Sequence, residues 1–230
     1  MLSEALHVPF TDIRKFLVGA AAYAVPYLNI LTVIFAYGYL ARYLRQILRM
    51  RSPRLPQWSD AAQLFLDGLR VFAIGLIYLI PWAVFLVVIV TGVVLAQVPI
   101  EGTLYYLFIV IFALCALGAW YIIPVAILEF LNTNVLASAL RLRDITRTLL
   151  TREYLSRWLT AFVISVVLSL IVLGLEYLLV TMLGSLGTGA EIAGLVLSAI
   201  ITALVAFYQL LVVFTLYADG WMNAREGQLF

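Results

Sequence analysis

Charged residues in this chain fall almost wholly between five long apolar stretches. Four of them, Val71 to Gln97, Leu104 to Phe130, Leu159 to Leu183 and Ile192 to Tyr217, each exceed the roughly 18 to 20 residues that a helix needs to cross about 30 Å of hydrocarbon. Each is predicted to be a full transmembrane helix. The short alternating segments of a membrane β-barrel do not occur. The pattern predicts an all-α, polytopic integral membrane protein forming one membrane domain over residues 1–230. Its parts are an N-terminal membrane segment (16–41), an inner amphipathic segment (42–70), a transmembrane hairpin (71–130), a second inner segment (131–158), a second hairpin (159–217) and a cytoplasmic tail (218–230).

The fifth stretch, Phe16 to Ala41, is broken by Pro26, which removes a helix hydrogen bond, with Asn29 three residues later. Each half, Phe16 to Val25 and Leu28 to Ala41, is too short to cross alone. Two arrangements remain open. The run either folds back at the Pro26–Asn29 hinge, sheltered by the other four helices, or crosses as one kinked fifth span with the amino end outside. Ala22-Tyr23-Ala24 resembles a signal-cleavage triplet, but the apolar run before it is short and Glu4 and Asp12 precede it, so the segment is read as retained.

Charge sets the orientation. Val98–Thr103 and Gly184–Glu191 carry one acid each and no base, whereas Ala41–Arg70 carries six arginines and Leu131–Trp158 five. Basic residues in short loops stay cytoplasmic. The arginine segments and the tail with Arg225 are therefore expected on the cytoplasmic face of the cell membrane. Folding back at Pro26 brings Arg14 and Lys15 to that face too.

Arg42, Arg45 and Arg49 recur at helical spacing opposite Leu44, Ile47 and Leu48, the pattern of an amphipathic helix at headgroup level. Guanidinium groups there can pair bidentately with lipid phosphate. These three, with Arg51, Arg54, Arg141, Arg143 and Arg147, are the expected contacts for anionic lipid headgroups. After "SPRLPQW", Ser59 is expected to cap the next helix, with Asp60 in its first turn. Asp60, Gln63, Asp67 and Arg70 share one face of that helix, and Trp58 reads as an interfacial anchor. In the second inner segment Leu142, Ile145 and Leu149 form an apolar stripe, while Arg141, Asp144, Thr148 and Thr151 form a polar one. The chain thus reads as two units of in-plane helix plus hairpin after the opening segment.

Composition agrees: 65% of residues are hydrophobic and 11% charged, which excludes a water-soluble fold. One cysteine, Cys115, and one histidine, His7, exclude an internal disulfide, a bis-histidine haem and a serine–histidine–acid set. "GSLGTGAEIAG" lacks the lysine of a phosphate-binding loop. No cofactor, no metal site and no enzymatic activity are expected. Glu129 falls at the inner interface and reads as structural. Glu176 lies in the outer third of its helix, with Thr91, Ser198 and Thr202 at similar depth; its carboxyl has to be protonated, hydrogen-bonded or wetted. A helix-tying acid and a proton-coupled site both satisfy that condition. Ala161, Ser165, Ser169 and Gly174 suggest close helix packing.

The chain resembles the uncharacterised prokaryotic membrane family called domain of unknown function (DUF) 4013. The likeness rests on Gly19, Pro26, Asn29, Gly38-Tyr39, Arg42, Leu55-Pro56-Gln57-Trp58, Phe65, Asp67-Gly68, Tyr78 and Pro81, and on Pro124, "FLNTNVLASALRLRDITRTL" and "REYLSRWLTAF". The resemblance implies a polytopic membrane protein and brings no catalytic residues. Two function classes follow. The first is a non-enzymatic scaffold or accessory subunit that binds lipids and self-associates or joins a larger complex. The second is a small proton-coupled transporter or channel using Glu176.

Overall fold

In a computed structural model of the protein, residues 2–24, 29–95 and 102–227 are described. Among them every regular element is helical: α1 (Leu2–His7), α2 (Ile13–Ala24), α3 (Asn29–Met50), α4 (Ala61–Leu95), α5 (Thr103–Thr133), α6 (Leu142–Leu149), α7 (Arg152–Gly184) and α8 (Thr188–Glu226), with 3-10 turns at Val8–Phe10 and Leu136–Leu140. Four of these, α4, α5, α7 and α8, are long and apolar enough to cross a membrane.

The ends of the helices follow from local chemistry. Thr151 caps α7, its hydroxyl accepting from the Tyr154 N–H at 3.4 Å. The expected cap at Ser59 is displaced by one residue. Asp60 takes a left-handed conformation (φ 57°), and its carboxylate accepts from the Gln63 N–H at 3.3 Å, so α4 begins at Ala61. Asn134, also left-handed, ends α5 by donating its N–H to the Phe130 carbonyl at 2.7 Å. The stretch read as a separate inner helix from Asp60 to Arg70 is in fact the opening of α4 and runs without a break into the apolar span. Within the segment expected as a tail, α8 continues to Glu226, and Ala218, Asp219, Gly220, Trp221, Met222 and Ala224 are buried.

Each long helix has one packed end and one bare end. Buried residues gather at the arginine-bearing end: the second half of α3, the start of α4, the close of α5, the start of α7 and the second half of α8. Beyond Leu76 on α4, Val166 on α7 and back from Ile200 on α8, large apolar side chains lie exposed. There α4 pairs with α5, and α7 with α8, as two separate hairpins.

The first apolar stretch forms two helices, not one. Phe16 of α2 and Tyr39 of α3 both pack on Phe207 of α8, at ring-centroid distances of 5.7 and 6.0 Å. One uninterrupted helix would hold those two residues roughly 35 Å apart. Instead α2 and α3 lie antiparallel, and the Trp58 indole N–H donates to the Lys15 carbonyl at 2.9 Å. Pro26 lies outside the described residues; Asn29 opens α3.

Two features close the packed end. α3 and α4 cross at backbone contact: a Cβ on Gly38 would sit 1.8 Å from the Leu64 carbonyl oxygen, and one on Gly68 1.8 Å from that of Ile34. Only glycine fits at either position. Buried acids are then each matched by an arginine from another helix. Asp67 on α4 meets Arg45 of α3 at 2.5 and 3.1 Å, Asp219 on α8 meets Arg157 of α7 at 2.8 Å, and Glu129 on α5 meets Arg225 of α8. The Trp221 indole also donates to Glu129 at 3.0 Å, and the Arg225 guanidinium lies over the Trp221 ring at 4.4 Å.

Gly38→Ala or Gly68→Ala is expected to cost about 2 kcal/mol or more by overpacking, seen as a lower melting temperature in detergent. Gly75→Ala, whose Cβ would enter open space inside α4, should leave the melting temperature unchanged or raise it slightly. Asp67→Ala is expected to cost about 3–5 kcal/mol by leaving Arg45 uncompensated. The double change Arg45→Met with Asp67→Leu should recover most of that loss in the same assay.

Candidate functional site

The arginine-bearing end holds the candidate lipid contacts, and packing divides them into two groups. The first is engaged by other groups of the protein. Arg42 donates to the carbonyls of Gln57 at 3.1 Å and Ser59 at 2.7 Å, which pins the proline-containing connection between α3 and α4. Tyr39 supports the same connection by donating to the Pro56 carbonyl at 3.1 Å. Trp58 stacks on the Tyr39 ring with centroids 4.1 Å apart, so this tryptophan braces a loop. Arg45 serves Asp67, which also receives Arg70 at 3.3 Å and the Gln63 amide at 3.4 Å. Arg51 pairs with Glu226 of α8, and Arg147 is also engaged.

The second group is exposed and makes no ion pair among the described residues: Arg49, Arg54, Arg141 and Arg143, together with Arg152, which sequence reasoning did not select. Lys15 joins the packed end from α2, donating to the Leu55 carbonyl at 3.2 Å. Its hydrogen bonds and charge hold the Asp12 carboxyl below its usual pKa range.

Surface helix α6 rolls differently from the expected stripes. Ile145 and Thr148 are buried and Leu149 is half-buried, whereas Leu142 is 63% exposed. One anchor lies at its end, where the Tyr121 hydroxyl of α5 donates to the Leu149 carbonyl; the buried Thr148 hydroxyl is satisfied within α6 by the Asp144 carbonyl, 3.4 Å away. Tyr121, Tyr154, Trp120, Trp158 and Phe162 form an aromatic cluster joining α5 to α7, with Trp158 edge-on to Tyr121 at 5.1 Å.

The second candidate lies on the bare hairpin of α7 and α8. The Thr202 hydroxyl donates to Glu176 Oε1 and approaches the Ser198 carbonyl at 3.0 Å. Ser198 is buried, Glu176 half-buried and Thr202 exposed. Thr91, exposed on α4 in the other hairpin, makes no hydrogen bond to this group. Of the four residues grouped by depth, the structure brings together three. Of the small residues expected to pack closely, Ala161 and Ser165 are buried, but Ser169 is exposed and Gly174 has no neighbour where a side chain would start.

Asp219 and its partner Arg157 escaped the sequence reading because an acid two residues past an apolar run looks like the start of a tail. The signal was the tract "YADGWMNARE", whose Gly220 and Trp221 suit a packed helix better than a solvated end. Two apolar recesses complete the picture. One of about 340 Å3 lies between the bare parts of α4 and α5, lined by Trp82, Phe85, Phe112 and Cys115. A smaller one of about 210 Å3 lies where α4 and α5 diverge from α8, lined by Tyr37, Phe72, Ile123 and Phe214. Among the described residues, no cluster of histidine, cysteine or acids has a metal-binding arrangement.

No curated protein and no solved structure matches the chain. A family described as "Protein of unknown function (DUF4013)" matches residues 22–177, more than half of the 230 residues. The protein belongs to the DUF4013 family.

Proposed function

We propose that the protein is a non-enzymatic integral membrane scaffold or accessory subunit, holding anionic lipid headgroups at the cytoplasmic face and associating with itself or with a larger membrane complex. One observation carries this reading: the division of the molecule into a packed, arginine-bearing end and two bare apolar hairpins. From Leu76 to Leu95, α4 alone offers 20 residues of helix, roughly 30 Å and therefore one bilayer core. Side chains such as Val87 and Val88, more than 60% exposed, are stable in that setting and costly in water. The packed end then lies at the arginine side, and the α2–α3 pair is a re-entrant hairpin that shares it. Arg49, Arg54, Arg141 and Arg143 are the headgroup contacts, because, of the eight candidate arginines, these four make no ion pair among the described residues.

A second reading rests on Glu176. Its hydrogen bond from Thr202 gives an acid inside an apolar hairpin one neutral partner, and a proton-coupled site is built on an acid so placed.

In a Cys115→Ala background, single cysteines at positions 54 and 143 are expected to react with an impermeant maleimide from the cytoplasmic side only. Labelling of the two from opposite sides removes the proposed orientation. Native purification in lipid-preserving conditions should recover further copies or other chains with the protein; a lone chain counts against the subunit reading. In proteoliposomes Glu176→Gln is expected to leave assembly and ion flux as in the wild type. Loss of a pH-dependent flux that the wild type shows transfers the case to the transporter.

A further inference from the structure

Between α5, surface helix α6 and the start of α7 lies an open cleft of about 560 Å3, bounded by Ile122, Thr146, Leu149, Leu150, Arg152 and Leu155. Its lining mixes apolar and polar side chains. The threonine hydroxyls are already used: Thr146 donates to the Leu142 carbonyl at 2.8 Å and Thr151 to that of Thr148 at 2.6 Å. Arg152 is the side-chain donor left over. It is exposed and makes no ion pair among the described residues. The neighbouring acid, Glu153, lies about 100° round the helix and is not among the cleft residues.

The apolar lining includes Leu150, which at 87% is the most exposed large hydrophobic side chain among the described residues. It stands at the corner between α6 and α7, in the lining of the same cleft as Arg152. From Arg152 a single stripe runs along α7 at helical spacing through Leu155, Leu159, Val163, Val166 and Leu170, all of them exposed. The order is therefore cation, cleft, then roughly 27 Å of apolar helix surface. A glycerophospholipid has that same order of charge and chain along its length.

We propose that this cleft seats one anionic phospholipid of the arginine-side leaflet, with its phosphate on Arg152, Leu150 wedged against its glycerol region and one acyl chain laid along the α7 stripe. The inference rests on the reading that this end faces the cytoplasmic leaflet, and it narrows that reading from a diffuse basic surface to one site. Charge complementarity sets the headgroup and the continuous apolar stripe sets the tail. A soluble anion uses only the first, and a partner's apolar helix only the second.

The test uses the full chain, purified in detergent and offered phosphatidylglycerol, phosphatidylcholine or inorganic phosphate, with bound lipid counted by native mass spectrometry. Arg152→Gln should lower phosphatidylglycerol retention by about fivefold, the loss for one basic residue at an anionic surface. Arg152→Lys should keep most of the retention, and Leu150→Ser should lower it at unchanged melting temperature. If Arg152→Gln changes nothing while the combined Arg49, Arg54, Arg141 and Arg143→Gln variant sheds lipid, the site is wrong and the broader headgroup reading stands. If neither variant sheds lipid, both fall. Equal retention of phosphatidylcholine, or displacement of phosphatidylglycerol by inorganic phosphate, overturns the anionic-lipid assignment. A change of oligomeric state in Leu150→Ser, without lipid loss, assigns the cleft to a second copy and overturns the proposal too.

Discussion

A carboxylate taken out of water is costly unless a cation or hydrogen-bond donors meet it, and that constraint organises the packed end of this protein. Asp67, Glu129 and Asp219 stand on α4, α5 and α8, each nearly closed off from solvent. Their partners Arg45, Arg225 and Arg157 come from α3, α8 and α7. Every pair therefore ties one helix to another. The ties bring α3 to α4, α5 to α8 and α7 to α8, so the two hairpins are held to one body even though their bare parts diverge. Such pairs add little net stability compared with apolar packing, but they fix register, because any slip along a helix leaves a buried charge unmatched.

Glycine sets the remaining geometry. At Gly38 and Gly68 the backbones of α3 and α4 touch, which brings Arg45, about two turns beyond Gly38, within reach of Asp67, the neighbour of Gly68. Larger side chains there would separate the helices and lengthen the ion pair. The antiparallel α2–α3 arrangement depends on the same crossing: Trp58, in the connection that follows α3, stacks on Tyr39 and bonds to Lys15. Backbone contact, ion pair and loop support thus form one unit, and the family's match over residues 22–177 contains both glycines, Arg45 and Asp67.

The arginines accordingly do two jobs. Some close the interior and others face outward, and the division follows from which positions on each helix point at a neighbour. Arg45 and Arg49 lie one turn apart on α3, yet one is nearly buried against Asp67 and the other is exposed. The proposed lipid chemistry belongs to the second group and to Arg152, while the isolated Glu176–Thr202 pair occupies the opposite, bare part of the molecule.

Hydrophobic patterning alone determined the number of long membrane-compatible helices and the helical class. These are properties of composition over 20-residue windows, and a span must be apolar whatever it packs against. It also singled out α6 as a surface helix. Partnership was beyond it. Arg42 and Arg45 looked like lipid contacts because helical spacing shows that residues share a face but not what that face meets. The end of α8 looked like a tail because a buried acid and a solvated one read alike in one dimension. Whether residues 16–41 form one helix or two was likewise decided by the tertiary structure, where Phe16 and Tyr39 reach the same ring of Phe207. Burial of a charge is a fact about three-dimensional neighbours, and those neighbours lie from 22 to 96 residues away along the chain.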